Sequence, residues 1–398
     1  MILKQKQYDY FFYAFLSILV VVLLFVSNTL SISYKEALNV FINTSVLTFF
    51  TNISLYIFGQ NDVALRLPFI LFYIASVLLM YKMTENYFRY EKDRLISISI
   101  FMLLPGVVSA SLLVNSAIIV IFFTLFYLYL YEKRGEHSYI LLALFLFIDN
   151  SFAILFLALF FYSLKDRNSK LMIVSLVLFT LSMYIYGFDT NGKPRGYFLD
   201  TFAIYSTVFS PFLFIYFVYS IYRVGIKEEK NLTWYISTTA LLLSLLFSFR
   251  QRIYIEDFAP YVVISLPFML KSFFHSYRVR LDEFRKNHKI AAILVLSMLL
   301  INVTLTIINK PLYLILPNAK KHFVYKYHFA KELASELKNR NINHIYSDNE
   351  KLLLRLRFYG IKEGDKYFIT LNKYSDYNEK ITVNYYGKDL VDLYIVKE

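Results

Sequence analysis

Long apolar runs separated by short polar, basic segments dominate the chain up to about residue 308. They fall at 10–32, 67–83, 95–109, 112–131, 139–164, 170–187, 202–222, 232–248, 258–274 and 290–308. A helix rises about 1.5 Å per residue, so about 20 apolar residues cross a hydrocarbon core of about 30 Å. These runs predict membrane-spanning helices. The first is too long for a signal-peptide core and lacks a small-x-small cleavage pattern, so it reads as an uncleaved helix. The run 139–164 carries Asp149 and Asn150 at its centre. A bare carboxylate at mid-membrane costs roughly 3 kcal/mol or more. Splitting the run there gives two short helices joined by a polar hairpin, and about eleven transmembrane helices in all.

Between the first two runs the pattern is different. Glu36, Asn39, Asn43, Thr44, Thr48, Thr51 and Asn52 recur near one helical face, and Leu38, Phe41, Ile42, Phe49 and Phe50 fall on or near the other. This predicts interface helices over 33–62, lying in the membrane surface; helices that only cap the bundle are the plainer alternative. Beyond residue 309 strand-like alternation sets in. Residues 328–340 predict an amphipathic helix with Phe329, Leu333 and Leu337 on one face. Strands are expected at 345–347, 367–371, 381–386 and 393–396. The chain therefore divides into a transmembrane domain, 1–308, and a small soluble α/β domain, 309–398.

Composition agrees with lipid as the solvent. Of 398 residues 58% are hydrophobic, with 40 Phe and 36 Tyr, and only 18% are charged. A soluble protein of this length has no core large enough to hide so much apolar surface. The net charge of +13 would suggest nucleic acid in a soluble chain. Here twenty Lys and Arg gather in the segments 1–9, 82–94, 132–138, 165–170, 223–231 and 271–289. The intervening loops hold six: Lys35, Arg66, Lys193, Arg195, Arg250 and Arg252. That bias predicts a cytoplasmic N-terminus and a periplasmic C-terminal domain. No basic helix or aromatic platform stands out, so no nucleic-acid partner is expected. Cysteine is absent, which removes disulfides, thiolate nucleophiles and Cys-bound metals. The six histidines show no HExxH spacing, so no histidine metal site is expected.

Two further outer loops carry candidate chemistry. Residues 187–196 place Lys193 and Arg195 around a proline with glycines nearby, so cations and backbone could both approach a phosphate. A solvated turn meeting lipid headgroups is the simpler account. Residues 249–257 bring Arg250, Arg252, Glu256 and Asp257 to one helix junction. Arginine's planar fork binds phosphate esters through two hydrogen bonds; an Arg–Glu pair stapling two helices is the competing account.

These loops resemble those of the GT-C glycosyltransferases, in particular the aminoarabinose-transferase and protein-mannosyltransferase branch. Phe58-Gly59-Gln60-Asn61-Asp62-Val63-Ala64-Leu65-Arg66-Leu67-Pro68 is similar to that family's entry into its second helix, and is the most specific match. Leu103-Leu104-Pro105-Gly106 followed by Asn115, Arg252 through Pro260, Tyr346-Ser347-Asp348 and Phe358-Tyr359-Gly360 resemble further family segments. The resemblance implies a GT-C-like fold and transfer of a sugar from a polyprenyl-phosphate donor to a glycan, lipid or protein acceptor outside the cytoplasmic (inner) membrane. It names no cofactor and leaves a divalent metal open. The family's first outer loop opens with Asp-Glu-Ala, where this chain has Tyr34-Lys35-Glu36-Ala37. Asn115 stands where a second family aspartate is expected, and Asp149-Asn150 where a family lysine is.

Such a transfer needs a carboxylate to take the acceptor's proton and cations to hold the departing phosphate. On this resemblance Glu36, the sole acid between Asp9 and Asp62, is the expected base. Arg250 and Arg252, with Lys193 and Arg195, are the expected phosphate ligands. Lys35, Asn115 and Asp149 are expected to support the site. A catalytically degenerate relative that binds a lipid carrier or scaffolds envelope assembly is the alternative function.

Overall fold

The computed structural model describes residues 2–187, 195–373 and 377–397. In chain order its helices begin with α1 (Ile2–Thr29), α2 (Tyr34–Phe41), α3 (Val46–Phe58), α4 (Asp62–Met83), α5 (Glu91–Leu103) and α6 (Pro105–Leu112). They continue with α7 (Ala117–Arg134), α8 (Tyr139–Phe145), α9 (Phe152–Asp166), α10 (Ser169–Tyr186), α11 (Phe198–Phe209) and α12 (Pro211–Lys227). The last of the bundle are α13 (Leu232–Ser248), α14 (Ile255–Val263), α15 (Leu266–Val279) and α16 (Asp282–Ile307). The tail forms α17 (Ala330–Asn339), β1 (His344–Ser347), α18 (Glu350–Phe358), β2 (Lys362–Thr370), β3 (Glu379–Tyr385) and β4 (Lys388–Lys397).

Two compact units result. One comprises Met1–Val20, Phe69–Ser111 and Asn115–Val303; the other comprises Val21–Pro68, Leu112–Val114 and Thr304–Glu398. The tail shares its unit with α2, α3, the end of α1 and the start of α4.

Among the described residues four helices are long and apolar enough to cross a membrane: α1, α4, α10 and α16. Four bent pairs raise the number to eight if each is one span: α2 with α3, α5 with α6, α11 with α12, and α14 with α15. The threading expected from the sequence omits the first pair and adds α7, α8, α9 and α13. Of these, α8 has only 7 residues, about 10 Å of rise, and does not span by itself. The run 139–164 is broken as its central acid suggested. Helix α8 ends at Phe145 and α9 starts at Phe152, and Asp149 Oδ1 accepts the Ser151 N–H at 2.9 Å in an Asx-type turn.

The run 202–222 is not the single helix that its apolarity predicted. Helices α11 and α12 meet at 105°. Pro211 opens α12 and Ser210 adopts φ 83°, outside helical space. Apolarity alone carries no information about that corner. Pro105 similarly starts α6, at 50° to α5. Gly106 in α6 lets Val208 of α11 come so close that a Cβ there would lie 2.5 Å from Val208 Cγ1.

In the second unit α2 and α3 are bent apart by 82°, with Ser45 capping α3 through a 3.2 Å bond from the Thr48 N–H. Helix α3 turns Phe49, Ile53, Tyr56 and Ile57 outward and buries Thr51 and Ser54. Polar groups face inward and apolar groups outward, the inverse of a soluble helix and the pattern expected beside lipid. The tail's sheet has the order β1-β2-β4-β3, with β1 and β2 parallel and the other neighbours antiparallel. Leu333 and Leu337 of α17, Leu352 and Leu356 of α18, and Ile345, Ile369, Ile381, Leu393 and Ile395 of the strands form one apolar core. Helix α18 went unread in the sequence, because its Leu-Arg alternation gives little helical periodicity.

Candidate functional site

Glu36 sits in the first turn of α2. Ser33 Oγ accepts the Glu36 N–H at 3.3 Å and Glu36 Oε2 accepts the Ser33 N–H at 2.9 Å, a reciprocal capping box. Oε2 also accepts from Arg66 Nη2 at 3.2 Å, and Oε1 accepts the Val114 N–H at 3.2 Å. The side chain is 2% exposed. Both oxygens of the expected base are thus engaged by donors and shielded from water.

Arg66, contributed by α4, is fully buried. Nη1 donates to the carbonyls of Ser27 (3.3 Å), Leu30 (3.0 Å) and Asp62 (3.3 Å), and Nη2 to that of Ser31 (3.1 Å). The last carbonyls of a helix lack partners within it. The guanidinium therefore caps the end of α1 while it neutralises Glu36. Asp62 lies one turn earlier on α4, 3.7 Å from Arg66 Nη1, and accepts from Lys331 Nζ at 3.0 Å and from the Tyr359 hydroxyl at 2.7 Å. The same hydroxyl accepts the Ile32 N–H at 2.8 Å. Burial and the Asp62 charge hold the Tyr359 phenol well above its ordinary pKa. Arg355 is buried too, donating from Nε to Ile32 O and from Nη2 to His328 O, each at 2.8 Å. Burial lowers its pKa to about 10, so it stays charged at neutral pH.

Glu36 thus belongs to a largely buried network in which Arg66 reaches Asp62, Asp62 holds Lys331 and Tyr359, and Arg355 binds the backbone of Ile32. The sequence reading passed over Arg66, Lys331, Arg355 and Tyr359 as members of it. The available signal was the i, i+4 spacing of Asp62 and Arg66. Lys35 is exposed on α2. Asn115 Oδ1 accepts the Ala117 N–H at 3.1 Å at the start of α7. Asn115 and Asp149 therefore serve separate helix starts.

In the first unit the segment before α11 and the link between α13 and α14 come together. Arg250 and Arg252 are exposed in the link between α13 and α14, and neither makes an ion pair among the described residues. The stapling Arg–Glu pair is therefore not formed. The Tyr197 N–H donates to Ser248 O at 2.7 Å, and the rings of Phe198 and Phe249 stack at 5.1 Å. Arg195 lies over the Tyr197 ring at 4.8 Å. Lys193 lies outside the described residues. Gln251, between the two arginines, lines a pocket of about 60 Å³ together with Asn150, Ser151, Tyr254 and Asp257. Exposed guanidinium groups suit an anionic ester, which they bind through paired hydrogen bonds.

Comparison with known proteins gives one partial family match and a fold likeness. Residues 43–148 match the family model described as dolichyl-phosphate-mannose-protein mannosyltransferase. Over nearly its whole length the chain is similar in fold to ArnT. The structure of ArnT from Cupriavidus metallidurans bound to undecaprenyl phosphate matches with a TM-score of 0.55 at 9% identity, covering 96% of this chain and 97% of that one. Its apo structure gives 0.51 at 10% identity with the same coverage. Among curated proteins no sequence matches.

Proposed function

We propose that this protein transfers a sugar from a polyprenyl-phosphate carrier to a glycan, lipid or protein acceptor on the outer face of the cytoplasmic membrane. The charge bias of its loops supports an N-terminus in the cytoplasm and the tail in the periplasm. One observation supports the reading: Arg250 and Arg252 are exposed and make no ion pair among the described residues, and they flank Gln251, which lines a pocket, in a chain similar in fold to ArnT. Cations so placed hold the carrier phosphate as the sugar leaves it and offset the charge that builds there. The acceptor hydroxyl then needs a carboxylate to take its proton. Glu36 is assigned that role, which requires its bond to Val114 or Arg66 to yield when substrates bind.

The burial of Glu36, with both its oxygens bonded, favours a second reading, a carrier-binding protein without transfer. Glu36→Gln separates the two. If Glu36 is the base, transfer falls about 10²- to 10⁴-fold while carrier binding stays intact. If it is an anchor, the variant loses thermal stability and any transfer activity persists in the folded fraction.

A further inference from the structure

A second ligand site lies in the first unit, away from the arginine loops. Helices α5, α12, α15 and α16 enclose a groove of about 460 Å³. Its lining follows helical spacing. Along α5 it is Lys92, Ile96 and Ile100; along α15, Arg278, Phe274 and Leu270; along α16, His288, Ala292 and Leu296. On each helix the polar residue is terminal and the apolar ones follow at steps of four. One end is therefore basic, with Lys92, Arg278, His288 and Lys289, and the rest is apolar. Lys92 and Ile100 are eight residues apart, so the apolar stretch runs about 12 Å deep.

Charge at the basic end is in excess. Asp93 is the acid lining the groove, and it is already bound to Arg278. Lys92 and Lys289 are exposed. His288 stacks on Phe273 at 4.8 Å, and its Nε2 is buried without a hydrogen-bond partner among the described residues. An orphaned buried polar atom is uncommon and marks a place where a partner belongs. Helix α16 is the most exposed of the four long apolar helices, with 11% of its apolar stretch buried, so the groove's outer wall faces lipid.

We propose that this groove binds an anionic glycerophospholipid of the surrounding bilayer. An acyl chain occupies the apolar stretch, and the phosphate meets Lys92, Lys289 and His288 Nε2. The charge bias puts this end of the bundle at the cytoplasmic leaflet, where anionic lipid and basic residues attract. The site stands independently of the transfer reading, since none of its residues belongs to the arginine loops.

Native mass spectrometry of the full-length protein in mild detergent tests it, with phosphatidylglycerol and phosphatidylcholine supplied at equal concentration. Wild type should retain phosphatidylglycerol at least tenfold over phosphatidylcholine. Lys92→Gln with Lys289→Gln should abolish that preference, and Ala292→Trp, which fills the groove without changing charge, should lower retention of both lipids. An Arg250→Gln/Arg252→Gln protein should keep its phosphatidylglycerol. Equal retention of the two lipids by wild type, an undiminished preference in the charge variant, or displacement of phosphatidylglycerol from the groove by a polyprenyl phosphate would each overturn the proposal.

Discussion

Arg66 shows how much one side chain carries. It is the fully buried cation that compensates Glu36, approaches Asp62 and caps α1. Replacing it with Met leaves a buried carboxylate without its charge partner, and loss of one member of a buried pair costs about 3–5 kcal/mol. Arg66→Met should therefore unfold well below wild type in a thermal-shift assay, and an unchanged midpoint would refute the anchoring role. The sequence displayed Arg66 within its most specific motif and also counted it among the outer-loop cations. It could not reveal the burial, because the Ser27, Leu30 and Ser31 carbonyls that receive it are brought there by tertiary structure. His328 makes a second residue-scale point. It is buried between the Tyr313 hydroxyl at 2.8 Å and Asn309 Oδ1 at 3.1 Å. Burial, then the charges of Lys310, His322 and Arg355, push its pKa from 6.5 to about 3. The unfolded chain takes up this proton first as the medium acidifies. The contribution is thus complete above pH 6.5 and declines toward pH 3, by about 1.4 kcal/mol per pH unit in that window. A His328→Gln protein should show a shallower loss of stability between pH 6.5 and 4; an identical slope would contradict this.

At the scale of elements, apolar periodicity revealed where helices lie better than where they bend. The runs at 67–83, 170–187 and 232–248 became α4, α10 and α13 with ends shifted by a few residues. Polar residues inside a run were informative too, since Asp149 marked the gap between α8 and α9. Bends at Pro105 and Pro211 sat in plain view, yet a proline kinks some spans and ends others. The corner at Ser210 depends on packing that one sequence does not show. The contact of Gly106 with Val208 is part of that packing. Gly106→Ala forces a Cβ to within 2.5 Å of Val208 Cγ1 and should cost about 1–3 kcal/mol. Val208→Ala in the same chain should restore most of it. Absence of rescue would mean that α6 and α11 do not meet as described.

For the whole molecule, class was legible and the site only partly so. Apolar runs, clustered basic loops and the Phe58–Pro68 motif pointed to a GT-C-like membrane fold, and the chain is similar in fold to ArnT over 96% of its length. Candidate phosphate ligands were readable because exposed loop arginines at adjacent positions need no distant partner to be noticed. The buried, bonded setting of Glu36 was not, since its three donors come from Ser33, Arg66 and Val114, the last two distant in the chain. The account therefore stands or falls on carrier binding at the arginine loops. The direct measurement is mass spectrometry of the purified protein for co-purified polyprenyl phosphate, with wild type and Arg250→Gln/Arg252→Gln compared at equal folded amounts. Wild type should retain the carrier and the variant at least tenfold less, since each charge-assisted hydrogen bond is worth about 1.5–3 kcal/mol. Equal retention by both proteins, or none by wild type supplied with excess undecaprenyl phosphate, would contradict it.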